Sequence, residues 1–103
     1  MLNDWHWKKV ELDEEHLVDD NDNIIANLMN TEWGWRCVFY NSKCNTKYVS
    51  QIHANSIEEA RWQATLYIYN ECNFIANNYH SIRDHLPSIH ELAEAARNGN
   101  NSK

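Results

Sequence analysis

Residues 33 to 40, WGWRCVFY, and residues 47 to 54, KYVSQIHA, predict an antiparallel hairpin that runs directly into a helix beginning SIEEARWQATLYI at residue 56. If Tyr40 faces Lys47 across the turn, side-chain alternation makes one face of the hairpin almost wholly apolar. That face carries Trp33, Trp35, Cys37, Phe39, Tyr48, Ser50, Ile52 and Ala54. The other face mixes charged, polar and apolar residues, Arg36, Val38, Tyr40, Val49, Gln51 and His53, as expected for a half-covered or ligand-facing surface. The turn 41–46 contains no Gly, and we expect its tip to be mobile.

The helix after the hairpin has a clear start. Ser56 and Glu59 have the spacing of a capping box, and neither Pro nor Gly interrupts the segment from Ser56 to about Asn77. One apolar stripe contains Ala60 and Ala64, whose small side chains let the helix lie close to the aromatic face of the hairpin.

The flanking segments complete an α+β prediction. Residues 5–12, WHWKKVEL, predict either a short edge strand or a free arm whose Trp5 and Trp7 contact a partner. Apolar residues at helical spacing predict a helix between Asp13 and Asn30 that restarts near Asp22. A polar connection follows the long helix up to Pro87, and a capping box at Ser88 begins a short helix that ends before Gly99.

The expected fold is therefore an antiparallel hairpin, with a third strand if the N-terminal segment pairs, packed with two main helices and a short C-terminal helix. We expect one domain over residues 1–103, with frayed ends at 1–4 and 98–103.

Composition restricts the function classes. The net charge of −6 argues against direct binding to nucleic acid, and no apolar run approaches the roughly 18 residues of a membrane span. Three Cys without a CxxC pair predict reduced structural thiols instead of a metal or disulfide framework. The N-terminus is polar and aromatic and does not resemble a signal peptide, which predicts a cytoplasmic location. The chain has only two glycines and no glycine-rich phosphate loop, so no nucleotide cofactor is expected.

The predicted order of helix, two strands and helix resembles the small phage alpha-beta-beta-alpha sandwich proteins. The matching residues are Ile24 to Met29 in the first helix, Trp35 to Tyr40 in the hairpin, and Ala54 to Ala60 with Ala64 in the second helix. The resemblance covers about the middle 55 residues. It implies a layered α/β domain, an origin in a phage or mobile element, and no established chemistry.

Histidines are the main candidates for chemistry. His80, His85 and His90, with Asp84, could form a zinc site, but a spacing of five residues does not place them on one helix face, and surface or capping histidines are expected instead. His53 could act as a base near Tyr40 or Arg36, although no nucleophile motif accompanies it; the alternative is a half-buried strand histidine. We therefore expect no catalytic, cofactor or metal residue, and a protein that is not an enzyme.

The acidic N-terminal half suggests a protein partner. Seven carboxylates fall within residues 11–22, and they could form an anionic patch that attracts a basic groove, or simply a solvated helix start. The predicted partner-binding residues are Glu11, Asp13, Glu14, Glu15, Asp19, Asp20, Asp22, Trp5, Trp7, Arg36 and Tyr40.

Acidic charge, small size and missing catalytic motifs favour a non-enzymatic protein that binds a basic partner. The resemblance to the phage proteins implies that it is a phage-encoded inhibitor or modulator of a host protein of defence or nucleic-acid processing. One alternative is a self-associating structural protein with Trp5, Trp7 and Trp62 at a homodimer contact. Another is a small hydrolase that uses His53 or the His80 to His90 group.

Overall fold

The computed structural model describes residues 4–41, 46–74 and 80–101, and within them the chain is an α+β domain: an antiparallel sheet of five strands followed by three helices. The strands pair in sequence order as a meander. They are β1 (His6–Glu11), β2 (Glu14–Val18), β3 (Ile24–Thr31), β4 (Gly34–Asn41) and β5 (Thr46–Ile52). The helices are α1 (Ile57–Phe74), α2 (His80–His85) and α3 (Ile89–Asn101).

The predicted register of the β4–β5 hairpin is confirmed. Trp35 pairs with Ile52 and Tyr40 pairs with Lys47, and all the pairs between them keep the same register. Cys37 and Phe39 are fully buried on the face towards α1, where they pack with Leu28 of β3. The predicted turn lies largely in residues 42–45, outside the described residues.

Helix α1 covers this apolar face. Its N-terminus is capped as predicted, because the Glu59 backbone N–H donates to Ser56 Oγ at 3.1 Å. Ala60, Ala64 and Ile68 are fully buried against the sheet. The helix is described as far as Phe74, and the predicted end near Asn77 lies outside the described residues.

The predicted helix between Asp13 and Asn30 is wrong, because this stretch forms β2, a turn and β3. Ile24, Ile25, Leu28 and Met29 fit a helical period, yet Ala26 and Leu28 also alternate with polar Asn27. Only pairing with β4 decides between the two periods, and a local pattern cannot show it. The sheet therefore has five strands instead of two or three, and the first-helix segment of the phage resemblance is a strand.

The N-terminal segment is a strand, the first of its two predicted alternatives. β1 pairs with β2, and both Trp5 and Trp7 pack partly buried against the core. Trp7 Nε1 donates to Thr65 Oγ1 of α1 at 2.9 Å, which gives the indole N–H a partner. These two rings are parts of the fold and not a free arm.

The C-terminal part differs from the prediction in two places. The polar connection before Pro87 contains the short helix α2. Ser88 caps α3 as predicted, with the Glu91 N–H at 3.3 Å from its Oγ, but α3 continues past Gly99 to Asn101. A Cβ at Gly99 would lie 3.1 Å from the Glu58 side chain of α1, so this glycine permits a close approach of the two helices instead of ending α3.

Candidate functional site

Two neighbouring turns at one end of the sheet expose large apolar side chains. Leu12, in the turn between β1 and β2, is 82% exposed, and Trp33, in the turn between β3 and β4, is 77% exposed. The Asn30 N–H donates to the Asp13 carbonyl at 2.8 Å, which holds the first turn against the strand that leads into the second. Two strand spacings of about 4.8 Å place the turns roughly 10 Å apart.

The turn that presents Trp33 is well fixed. Thr31 pairs with Gly34, so only Glu32 and Trp33 lie between the two strands. Thr31 Oγ1 accepts the Trp33 backbone N–H at 3.2 Å and donates to the Gly34 carbonyl at 2.7 Å. Gly34 has φ +113, a conformation that other residues rarely adopt. The sequence prediction placed Trp33 on the apolar hairpin face, and the two-residue turn instead directs it into solvent.

Carboxylates surround these two apolar side chains. Glu11 and Asp13 flank Leu12, Glu32 precedes Trp33, and all three acidic residues are exposed. We call the five residues Glu11, Leu12, Asp13, Glu32 and Trp33 the acidic turn pair. It contains two of the predicted partner-binding residues and three that the sequence interpretation missed. A Thr and a Gly on either side of Glu32 and Trp33 are a turn signal that could have found these two residues, but not Leu12.

The other five predicted acidic residues do not join this group. Asp19, Asp20 and Asp22 lie in the turn at the opposite end of β2, about 20 Å away along the strand. Asp22 has a positive φ of 62, and its carboxylate lies 3.5 Å from Lys8 Nζ. The seven residues therefore do not form one patch.

Asp19 organises its turn. Its Oδ1 accepts the backbone N–H groups of Asn21 and Asn23 at 2.8 and 2.9 Å, and its Oδ2 accepts the Asn23 side chain at 3.0 Å. Hydrogen bonds from Asn23 are the main reason that the pKa of the Asp19 carboxyl is below its ordinary value. A solvated helix start is therefore the wrong description of this stretch, which is a turn between two strands.

Glu15 lies on the helix side of the sheet and is only 3% exposed. Arg61 of α1 donates to both of its carboxylate oxygens, from Nε to Oε1 at 2.7 Å and from Nη2 to Oε2 at 2.6 Å. The hydrogen bonds with Glu15 raise the pKa of Arg61. The ion pair between Glu15 and Arg61 links α1 to β2, and the Glu15 carboxylate is therefore not available to a partner.

Glu14 lies on the sheet face that the helices leave uncovered in the described part of the chain. Its Oε2 forms hydrogen bonds with His16 Nε2 and Asn27 Nδ2, both at 2.9 Å. The bond with His16 and, to a smaller extent, the bond with Asn27 lower the pKa of Glu14. The carboxylate is thus already paired, at the start of β2 beside the turn that contains Leu12.

The same uncovered face carries Arg36 and Tyr40, the two predicted partner-binding residues of the hairpin. Both are exposed, Tyr40 by 45% of its surface, and Val49 beside them is 52% exposed. Their alternation with buried Cys37 and Phe39 follows from the confirmed register. This face adjoins the acidic turn pair, because Arg36 lies two residues after Gly34.

The histidine candidates do not come together. His53 follows β5 and is exposed, so it is not the half-buried strand histidine that the sequence suggested. His85 pairs with Asp4 and stacks on Trp5 with ring centroids 5.2 Å apart, whereas His90 is exposed with Glu94 at 3.9 Å. The His80 side chain lies outside the described residues. Among the described residues, no group of three or more His, Cys, Asp and Glu could hold a metal ion.

Cys37 is a structural thiol. It is fully buried in the core, and desolvation raises its pKa to about 12. A thiol in this environment stays protonated and is a poor nucleophile. The side chains of the other two cysteines lie outside the described residues.

The fold and these surfaces define an α+β protein with a meander sheet that has helices on one side and exposed apolar turns at one end. Comparison with protein-family models, with curated proteins and with solved structures finds no match to this chain. None of the helices in the described ranges is long and apolar enough to cross a membrane.

Proposed function

We propose that this chain is a non-enzymatic binding protein that inserts Trp33 into an apolar pocket on a basic protein partner. The observation that carries the proposal is the acidic turn pair: a Trp that is 77% exposed, held in a two-residue turn and surrounded by carboxylates. Trp is enriched among the residues that dominate binding energy, and a rigid Trp loses little entropy when it is buried.

The surrounding charge sets the kind of partner. Glu11, Asp13 and Glu32 add local negative potential to a chain whose net charge is −6. Such a surface attracts a basic partner and speeds association at low salt. Arg36, two residues after Gly34, is the predicted hairpin residue beside this contact, whereas Tyr40 lies about 20 Å from the turn along β4. An origin in a phage and a host target in defence or nucleic-acid processing are proposals that rest on the sequence resemblance.

The test compares two matched variants, Trp33→Ser in the acidic turn pair and Ile24→Ser at the other end of the sheet. Ile24 is 51% exposed, so both changes remove an exposed apolar side chain. We expect the free energy of unfolding of each variant to lie within about 0.5 kcal/mol of the value for the unchanged protein.

Each protein is immobilised, exposed to a bacterial lysate, and washed at low and at high salt. The proposal expects a basic protein that is retained by the unchanged chain and by Ile24→Ser, but lost with Trp33→Ser and released by salt. Equal retention by all three proteins, or no retained protein, contradicts it.

Self-association is the alternative. Two of its three predicted contact residues, Trp5 and Trp7, are packed into the fold. Sedimentation analysis at both salt concentrations distinguishes the two: an apolar homodimer persists at high salt, whereas the proposed function expects a monomer in the absence of its partner.

A further inference from the structure

Strand β5 is the last strand of the sheet, and its outer edge carries backbone groups with no backbone partner among the described residues. The Gln51 carbonyl accepts the Ser50 side-chain hydroxyl at 3.3 Å. In an antiparallel sheet the N–H and C=O groups of an edge strand point alternately towards its neighbour and away from it. Within residues 4–41, 46–74 and 80–101, the backbone pairs of β5 are all with β4. A row of outward donors and acceptors is complementary to another extended backbone.

The two edges of the sheet differ in how they are protected. Edge strand β1 carries Lys8, Lys9 and Glu11, and charged residues are a common means of preventing edge pairing. In β5, the one charged residue is Lys47 near the start of the strand, and residues 48–52 are Tyr, Val, Ser, Gln and Ile, with neither charge nor Pro. This segment has high β propensity and nothing that would repel an added strand.

A groove lies between β5 and α1. Its volume is about 380 Å³, and residues of both elements line it: Ser50, Ile52, Trp62, Leu66, Tyr67 and Asn70. This volume is within the usual range of about 300–1,000 Å³ for sites that hold ligand groups. A strand added to β5 would direct every second side chain to the α1 side of the sheet, and therefore towards this groove.

We propose that the β5–α1 groove binds an extended peptide segment of another protein by strand addition, with alternate apolar side chains in the groove and Lys or Arg at its ends. None of the lining residues is charged. Ile52, Trp62, Leu66 and Tyr67 offer contacts to apolar side chains, and the remaining lining residues, Ser50, Gln51, Gln63 and Asn70, are polar. The net charge of −6 favours a segment with basic flanking residues, and Glu71 lies on α1 next to Asn70 of the groove. A second copy of this chain would instead bring together two molecules of net charge −6. This site is separate from the acidic turn pair, and neither proposal depends on the other.

The probe is a set of synthetic eight-residue peptides in which Thr alternates with Val, Leu, Ile, Phe or Tyr, and Lys occupies both ends. Binding is followed by NMR amide shifts and by hydrogen exchange of the labelled protein. We expect members of the set to shift the β5 amides and to slow the exchange of alternate ones. Two N-methylated versions of a binding peptide are then compared, one methylated at the odd positions and one at the even positions. Only one version should lose binding, because only every second N–H of the peptide donates to β5.

Two matched variants separate the groove from the opposite face of the sheet. Leu66→Ser should weaken peptide binding at least about tenfold, whereas Val49→Ser, on the uncovered face of the same strand, should change it less than about twofold. If Leu66→Ser unfolds, Asn70→Trp serves instead, because Asn70 is an exposed residue of the groove and a Trp there fills it.

Three results would overturn the proposal. The first is that no peptide of the set shifts the β5 amide signals. The second is that the peptides N-methylated at odd and at even positions bind equally well. The third is a homodimer in which β5 is already protected from exchange, which would assign the edge to a second copy. The Trp33→Ser variant should bind the peptides normally, so a failure here leaves the acidic turn pair untouched.

Discussion

At the scale of single residues, Glu15 shows how one position changes the meaning of a charge pattern. The sequence alone does not distinguish among the seven carboxylates between residues 11 and 22. In the folded chain Glu15 is buried with Arg61, Glu14 is paired on the open face and Asp19 shapes a turn. Glu11 and Asp13 are the two that join the exposed apolar residues. Charge can be counted from a sequence, but the face on which each charge lies depends on the strand assignment.

We predict that Glu15→Gln lowers the free energy of unfolding by about 2–3 kcal/mol. The amide keeps one hydrogen bond to Arg61 but leaves Glu58 as the remaining acidic neighbour of its cation. The cost is below that of a fully buried pair because Arg61 is partly exposed. Urea denaturation measures the change.

Glu11→Gln is the matched control, since Glu11 is exposed on the neighbouring strand, and it should change stability by less than about 0.5 kcal/mol. Equal effects of the two variants would mean that the ion pair contributes nothing. The double change of Glu15→Met and Arg61→Leu should recover most of the loss, because it removes both charges together.

At the scale of elements, the predictions were correct where interactions between residues close in sequence determine the element, and wrong where pairing with a distant strand determines it. The β4–β5 register could be predicted because both strands and their apolar alternation lie within residues 33–54. The starts of α1 and α3 could be predicted because Ser56 and Ser88 bond to N–H groups three residues away. β2 and β3 could not, because their apolar residues fit two periods and the deciding partner strand is elsewhere. Because β3 was predicted as part of a helix, the two-residue turn that follows it and exposes Trp33 was not predicted.

The turn between β2 and β3 leads to a prediction about acid. Asp19 has a lowered pKa in the folded state, so its carboxylate stabilises the fold above its unfolded pKa of about 3.8, and this stabilisation is lost as the pH falls through the lower folded value. We predict that Asp19→Ala is less stable than the unchanged protein near neutral pH, and that the difference shrinks below about pH 3.8.

Denaturation curves measured in steps from pH 6 to pH 2 test this prediction. Asp20→Ala, an exposed neighbour in the same turn, is the control and should follow the unchanged protein throughout. A difference for Asp19→Ala that stays constant down to pH 2 would show that its carboxylate does not act through its charged form.

At the scale of the whole molecule, the N-terminal edge of the sheet is tied to the helical layer. The Trp5 N–H donates to the His85 carbonyl at 3.0 Å, the two rings stack, and Asp4 pairs with the His85 side chain. Trp7 adds its bond to Thr65. Residues at the start of the chain thus hold an element that lies about 80 positions later.

We predict that Trp5→Ala increases hydrogen exchange in β1 and in α2 together, because each holds the other in place. Native-state exchange measured by NMR, amide by amide, tests this. Trp33→Ala is the control: it removes the same side chain from an exposed turn and should leave the exchange rates of β1 and α2 unchanged. Faster exchange in β1 alone would show that α2 is held by α1 and not by the N-terminal residues.

The meander also has a consequence for synthesis on the ribosome. Every strand pairs with its neighbour in sequence, so the whole sheet can form from local hairpins as soon as residue 52 has emerged. The helix that covers Leu28, Cys37 and Phe39 is made only afterwards. For the time needed to translate α1, the nascent chain therefore presents an uncovered apolar sheet, which is the kind of surface that chaperones bind and that aggregates when they are scarce.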